Sequence, residues 1–141
     1  MVTLKNAGEA DKETWLSIDY HIGETVFLRK CRDGNAYLIT ENESTVGVLR
    51  YSLFWDTIPF LDLLFLTEEN RRKNIGRAAM ALWEAEMRRN GYRTVLLSTQ
   101  ADEDAQHFYR KIGYTDCGCL LLNDGAHKQP AELFFKKELE G

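Results

Sequence analysis

The sequence predicts an α/β protein, a single domain with a mixed sheet of about six to seven strands flanked by about four helices. The first supporting observation is the nearly continuous apolar run at residues 60–66, which is typical of a central strand covered on both faces. The second is the stretch 75–90, whose apolar residues recur at helical spacing until Gly91 ends the pattern. They form two stripes, one of Ile75, Ala78, Ala79, Leu82 and Ala85 and the other of Met80, Trp83 and Met87. With 141 residues and 44% hydrophobic content, the span 1–141 suits one globular domain.

The part of the chain before the central strand predicts a strand, helical segments and a hairpin. The elements are a strand around residues 2–4, a helix at 10–20, a helical or irregular segment up to about 32, and hairpin strands at 36–40 and 45–55. Trp15 faces inward in the first helix by its spacing. The hairpin follows the turn residues Asp33, Gly34 and Asn35.

The part after the long helix predicts a strand, a short helix and two further strands. They lie at 94–98, about 103–111, about 114–122 and 132–137. Asp102 is in position to cap the short helix, and Gly113 to end it. This order implies antiparallel hairpins at the start and end of the chain and right-handed crossovers through the two helices after the central strand.

Composition excludes several classes of protein. A formal net charge of −4 and a pI near 5.4 argue against a nucleic-acid-binding protein. Three cysteines without framework spacing indicate free thiols in a reducing compartment. No apolar run approaches the roughly 18 residues of a membrane span, and the first residues do not resemble a signal peptide. We therefore expect a soluble cytoplasmic protein with no nucleic-acid or membrane partner.

A basic loop stands out in this acidic chain, at the junction between the apolar strand and the long helix. It consists of Arg71, Arg72, Lys73, Asn74, Ile75, Gly76 and Arg77. The first turn of a helix leaves backbone N–H groups without partners and carries the positive end of the helix dipole. The loop therefore predicts a site for a phosphate-bearing ligand, in the place where α/β sheets usually bind ligands.

Two segments resemble motifs of the GNAT superfamily of acyl-CoA-dependent N-acetyltransferases. After the apolar strand, Arg71 and Gly76 match the pattern Arg/Gln-x-x-Gly-x-Gly/Ala, whereas Asn74 stands where the first glycine is usual. Residues 105–114 resemble the second motif, Ala-x-x-Phe-Tyr-x-Lys-x-Gly-Phe, with Tyr114 in place of the last phenylalanine. Because the two motifs occur in this order, the chain is identified as similar to this superfamily.

The resemblance, which covers at least residues 60–114, implies acetyl-CoA as co-substrate and no metal. Backbone N–H groups from 72 to 77 would cradle the pyrophosphate, and the flanking cations would add charge-assisted contacts. Asn74 tolerates a left-handed backbone better than other non-glycine residues, although its side chain would crowd the ligand. Leu64 and Leu66 would offer backbone groups to the pantetheine arm, and the Leu66 N–H would polarise the thioester carbonyl.

The second motif implies a catalytic role for Tyr109. Its phenol would protonate the departing thiolate, while the alternative is that Phe108 and Tyr109 are both packing residues. Asp102 lies where the family often has an asparagine that touches the cofactor arm. As a carboxylate it is favoured as the helix cap instead.

Asp62 is the first candidate for a catalytic base. Amines of the lysine type have a pKa of about 10.4, so the acceptor arrives protonated and must lose a proton before it attacks a thioester. Asp62 interrupts the apolar strand just before the cofactor motif, where a carboxylate needs a reason. A solvated strand position or an ion pair with Arg50 is the alternative interpretation, and the favoured one.

The resemblance implies direct acetyl transfer in a ternary complex to a primary amine of a small molecule or peptide. The cysteines show no arrangement typical of a nucleophile, and Cys117 and Cys119 with His127 make a poor zinc site. A non-catalytic acyl-CoA sensor or structural domain on the same fold is the alternative. A nucleoside-triphosphate site would need a Gly-x-x-x-x-Gly-Lys-Ser/Thr loop, which the chain lacks. A homodimer through the sheet or the last strands stays open.

Overall fold

The computed structural model describes residues 1–140 and confirms the predicted fold class. The strands are β1 (Val2–Asn6), β2 (Ala36–Glu41), β3 (Ser44–Phe54), β4 (Ile58–Leu66), β5 (Thr94–Gln100), β6 (Thr115–Leu120) and β7 (Glu132–Glu138). The helices are α1 (Lys12–Ile18), α2 (Glu24–Asp33), α3 (Ile75–Arg89) and α4 (Ala105–Lys111), with 3-10 turns at Glu9–Asp11 and Glu68–Asn70. The seven strands form one mixed sheet in the order β1-β2-β3-β4-β5-β7-β6. None of the helices in residues 1–140 is both long enough and apolar enough to cross a bilayer.

The chain separates into two compact units. The first contains Met1–Ser52 and Leu61–Glu86. The second contains Leu53–Phe60 and the described residues from Met87 onward. The two units are described in turn.

The core of the first unit forms where α1 and α2 cover the β1–β3 meander. Trp15 and Phe27 are fully buried, and their ring centroids lie 5.1 Å apart. Small and branched residues of the strands and their connections complete this cluster: Ala7, Ala36, Leu38 and Val48. The inward position predicted for Trp15 is therefore confirmed.

A buried ion pair ties the end of α1 to β3. Arg50 Nε donates to Asp19 Oδ2 at 2.8 Å, and Trp15 Nε1 donates to the same oxygen at 3.1 Å. The His21 amide donates to the other oxygen at 3.0 Å. Burial acts to raise the pKa of Asp19, but the hydrogen bonds from Arg50 and His21 outweigh it and the pKa is lowered. The pair therefore holds Asp19 as a buried carboxylate.

Only part of the predicted apolar surface of α3 is buried. The second stripe, Met80, Trp83 and Met87, is fully buried, together with Ile75 and Ala79 of the first. Leu82, a member of the first stripe, is 39% exposed. Together the two stripes span about 200° around the helix axis, which is wider than the face that a sheet can cover. Tertiary packing therefore decides which of these residues are buried. Gly91 ends the helix as predicted, with a φ of 96°.

In the second unit β7 pairs antiparallel with both β5 and β6. Arg110 of α4 makes a two-pronged ion pair with Asp116 of β6, at 2.9 and 2.8 Å, and its guanidinium carbon lies 5.2 Å from the Phe135 ring centroid. These contacts fasten α4 to the ladder. The pairing raises the pKa of Arg110 and lowers that of Asp116, mainly through their hydrogen bond.

The predicted start of α4 is wrong. The helix begins at Ala105 with Asp104 at its N-cap position, and Asp102 lies exposed in the preceding turn. A side-chain bond closes that turn, because Glu103 Oε1 accepts from the Gln100 N–H at 2.9 Å. Asp102 and Glu103, which capping preferences had placed at the start of the helix, belong to this turn instead. Asp102 is therefore not the N-cap of α4.

The end of β4 lies unusually close to β3 at Gly47. A Cβ atom on Gly47 would sit 2.3 Å from the Phe65 carbonyl oxygen, a distance that no rotation of a side chain can relieve. The Thr67 N–H, just past the strand, donates to the Val46 carbonyl at 3.0 Å. Glycine at position 47 therefore sets how closely the two backbones approach.

We expect Gly47→Ala to lower the free energy of unfolding by about 1–3 kcal/mol, the usual cost of forcing an extra methyl into a packed site. Urea denaturation of the purified variant measures it. Gly8→Ala is the matched control, because a Cβ at Gly8 meets nothing within 4 Å and its φ of −126° suits alanine. Its effect should stay within about 0.5 kcal/mol. Equal stability of Gly47→Ala and the wild type would contradict the steric argument.

Candidate active site

The basic loop begins at a fixed point on the end of β4. Arg71 Nε donates to the Leu66 carbonyl at 3.0 Å. The guanidinium carbon also lies 5.0 Å from the centroid of the Phe65 ring, within cation–π distance. Arg71 thereby joins the loop to the strand that precedes it.

The loop backbone alternates in handedness before it enters α3. Arg72 and Asn74 both have a φ of 63°, while Lys73 between them does not have a positive φ. Alternating handedness is the backbone pattern of anion-binding nests, in which successive N–H groups turn toward one side. Asn74 occupies the left-handed conformation for which glycine is usual, as the sequence led us to expect.

The loop then passes directly into the first turn of α3. The Asn74 carbonyl accepts from the Ala78 N–H at 3.1 Å, which makes Asn74 the last residue before the helix. The N–H groups of Ile75, Gly76 and Arg77 have no acceptor within the helix. They lie beside the nest, at the positive end of the dipole of a 15-residue helix.

The cationic side chains of the basic loop are exposed to solvent. Arg71, Arg72, Lys73 and Arg77 are all exposed, whereas Ile75 is buried and anchors the helix. Four exposed cations around a backbone nest create a local positive potential in a protein with a net charge of −4. This arrangement can bind a polyphosphate.

Leu64 and Leu66 of β4, predicted to offer backbone groups to a ligand, are half-buried. The Leu66 carbonyl already accepts a hydrogen bond from Arg71. The roles predicted for the Leu64 backbone and for the Leu66 N–H stay predictions.

Asp62 pairs with a cation that the sequence did not suggest. Lys30 Nζ lies 3.2 Å from Asp62 Oδ2, and Ser52 Oγ donates to Oδ1 at 3.0 Å. Lys30 also donates to the Tyr51 carbonyl. The predicted alternative, an ion pair of Asp62 with Arg50, is wrong because Arg50 is taken by the buried Asp19.

Tyr109 of α4 is buried among aromatic rings. Its ring meets those of Phe108 and Tyr114 edge to face, with centroids 5.0 and 5.9 Å away. Burial, with a smaller contribution from Glu103, raises the pKa of Tyr109 well above its usual value. The phenol therefore remains a proton donor throughout the physiological range, and within residues 1–140 its hydroxyl forms no hydrogen bond.

The structure assigns the predicted site residues to the two units as follows. Asp62, Leu64, Leu66 and the basic loop belong to the first unit, and Tyr109 and Asp102 to the second.

One polar network of the second unit was not predicted from the sequence. It joins Ser98 to Glu132 of the neighbouring strand, and its only signal in the sequence was a carboxylate two residues before the aromatic pair of β7.

The comparisons with known proteins define the class of protein. The model of the acetyltransferase (GNAT) family matches residues 4–114. The chain therefore belongs to the GNAT family, as its two motifs suggested. No curated protein matches the sequence.

Solved structures of acetyltransferases share the fold at low sequence identity. Ard1 from Thermoplasma volcanium has a TM-score of 0.84 at 20% identity, with 99% of each chain covered. The ribosomal-protein-S18-alanine N-acetyltransferase from Escherichia coli has a TM-score of 0.82 at 15% identity, covering 100% of this chain and 96% of that one. A GNAT family acetyltransferase from Elizabethkingia anophelis with acetyl-CoA bound has a TM-score of 0.74 at 14% identity, covering 99% and 97%. At these identities the likeness concerns the fold alone.

Proposed function

We propose that this protein is an N-acetyltransferase, a single domain over residues 1–141 that transfers an acetyl group from acetyl-CoA to a primary amine of a small molecule or peptide. The observation that carries the proposal is the basic loop, whose left-handed Arg72 and Asn74 precede the open first turn of α3. Membership of the GNAT family supports acetyl-CoA as the donor, as does its presence in the related Elizabethkingia anophelis structure. The three free thiols support a reducing, cytoplasmic setting.

The proposed transfer is direct. The neutral amine nitrogen attacks the thioester carbonyl carbon and the C–N bond forms. The nitrogen then loses one proton to solvent as the amide forms, and the C–S bond breaks to release the thiolate of coenzyme A. The nest and the cations of residues 71–77 bind the pyrophosphate, and the Leu66 N–H stabilises the developing oxyanion. Tyr109 gives its proton to the thiolate, and its raised pKa keeps the phenol protonated until the C–S bond breaks. We also propose that Asp102 contacts the arm of the cofactor, because Asp104 and not Asp102 occupies the N-cap position of α4.

The cofactor assignment predicts that Arg72→Ala combined with Gly76→Glu weakens acetyl-CoA binding at least tenfold. The variant removes a charge-assisted contact, worth about 1.5–3 kcal/mol, and places a carboxylate beside the phosphates. Isothermal titration calorimetry measures the dissociation constant. Arg88→Ala is the matched control, because it removes a cation from the opposite end of the same helix. Unchanged binding in the double variant would remove the basis for the cofactor site.

Thiol release by the wild-type protein distinguishes an enzyme from a non-catalytic sensor. If the protein is an enzyme, adding primary amines to its complex with acetyl-CoA should release the free thiol of coenzyme A. Binding without release across a broad panel of amines would instead support a non-catalytic acyl-CoA sensor on this fold.

For Tyr109 we expect Tyr109→Phe to lower kcat by about 10²–10⁴-fold while the affinity for acetyl-CoA is unchanged, because the variant loses only the proton donor. Steady-state thiol release and calorimetry give the two quantities. The wild-type rate should show no loss from ionisation of Tyr109 near about pH 10, the ordinary value for a tyrosine, since its pKa is raised. Tyr114→Phe, a second buried tyrosine, should stay within a few-fold of wild type. Full activity of Tyr109→Phe would make Tyr109 a packing residue.

Asp62 remains our candidate for the group that takes the proton of the amine. If so, Asp62→Asn should lower kcat at least tenfold and remove a limb from its pH profile. Ser52→Ala is the control, because it removes one hydrogen bond of Asp62 and keeps the carboxylate. If Asp62→Asn keeps both the rate and the pH profile but lowers the unfolding free energy, Asp62 serves only as the ion-pair partner of Lys30.

A further inference from the structure

One face of the β5–β7 ladder carries a carboxylate that the proposed mechanism does not use. Ser98 Oγ donates to Glu132 Oε2 at 2.6 Å, and Gln129 Nε2 donates to Glu132 Oε1 at 2.8 Å. Gln129 Oε1 in turn lies 2.8 Å from His127 Nε2. The network fixes both oxygens of Glu132 in place through neutral donors.

Glu132 differs in this respect from three other carboxylates in side-chain networks of the protein. Each of the three faces a cation, in the pairs Asp19–Arg50, Asp62–Lys30 and Asp116–Arg110. Glu132 is half-buried and faces no cation within the described part of the chain. A charge that is partly removed from water and lacks a counter-ion is unfavourable by itself and favours an incoming cation.

A row of aromatic side chains leads to this carboxylate. The ring centroids of Trp55 and Phe54 lie 4.7 Å apart, those of Phe54 and Phe60 6.2 Å, and those of Phe60 and Phe134 5.8 Å. Phe54, Phe60 and Phe134 are half-buried, and Trp55 is 76% exposed. These four residues, here called the aromatic row, form a continuous and partly accessible apolar strip.

The aromatic row ends at Glu132. Phe134 and Glu132 are two positions apart on β7, so their side chains emerge from the same face roughly 7 Å apart. Ser98 pairs with Phe134 across the ladder and holds the carboxylate. The strip therefore combines ring faces with a fixed negative charge at one end.

Trp55 occupies a conformation that bulky residues rarely adopt. It has a φ of 56° and Asp56 a φ of 61°, in a tight turn closed by the Thr57 N–H to the Phe54 carbonyl at 3.1 Å. Such turns normally use Asn-Gly, and backbone strain of this kind clusters at ligand sites. The turn holds the Trp55 ring out at the open end of the row.

We propose that Glu132 and the aromatic row recognise the acceptor, and that the acceptor is a primary amine joined by a short linker to an aromatic ring. The ammonium group forms a charge-assisted hydrogen bond to Glu132, and the ring stacks on the row. The inference rests on the proposed acetyltransferase function, which it deepens by naming the class of amine.

The test is calorimetric titration of phenethylamine into the wild type and three variants, with and without coenzyme A. Wild-type protein should bind phenethylamine at least tenfold more tightly than n-butylamine, which lacks the ring. Glu132→Gln should weaken phenethylamine binding at least tenfold, since it removes the charge and nearly preserves the shape. Trp55→Ala should weaken it about fivefold, in line with one stacked ring. Glu138→Gln is the matched control, because Glu138 lies on the same strand and accepts from the Thr94 hydroxyl at 2.9 Å; it should bind as the wild type does.

Three results would overturn the inference: no phenethylamine binding by the wild type, wild-type affinity in Glu132→Gln, or equal affinity for the two amines. Acetyl-CoA affinity is measured in the same proteins and should be unchanged by all three substitutions. If the wild type does not bind acetyl-CoA, the proposed function is contradicted. If it binds acetyl-CoA but gives any of the three results above, only the acceptor site is contradicted. Thermal unfolding of each variant verifies that it is folded.

Discussion

The close approach of β3 to β4 at Gly47 is the constraint on which the candidate cofactor site depends. Because glycine carries no Cβ, the Phe65 carbonyl can occupy space that any other residue would fill. Thr67 then bonds back to β3, and Arg71 bonds to the last carbonyl of β4. The basic loop consequently starts from a fixed point, and its left-handed residues hold their N–H groups beside the first turn of α3. Affinity for an anion depends on this orientation, since the backbone donors need no rearrangement.

Charge in this acidic protein is distributed by pairing. The buried Asp19 is held ionised by Arg50 and by neutral donors, which together overcome the effect of burial on its pKa. Asp62 has Lys30, and Asp116 has Arg110. Against this pattern two features stand out, a loop of exposed cations and the half-buried Glu132 with neutral donors. The first suits a polyphosphate donor and the second suits a cationic acceptor, which are the two substrates of the proposed reaction.

Local patterns explain why most elements could be predicted from the sequence. The apolar run of β4, the helical spacing of α3 and the glycine at its end each depend on residues that are near one another in the chain. The details that local patterns did not predict depend on packing or on competing local bonds. Leu82 belongs to an apolar surface wider than its helix can bury, and the turn closed by Glu103 uses the residues assigned to the start of α4. The basic loop was found because its cations and its helix entry are contiguous.

The sequence by itself determined the fold class, the family motifs and the left-handed tendency of Asn74, because periodicity and backbone preference are properties of short segments. Only the tertiary structure decided which charged groups meet. Asp62 pairs with Lys30 and not with Arg50, and Ser98 bonds to Glu132, which lies 34 positions further along the chain. Strand register and the packing of a helix on the sheet determine these partners. A register shift of one residue would turn Glu132 to the opposite face, and no local pattern in β7 reports that register.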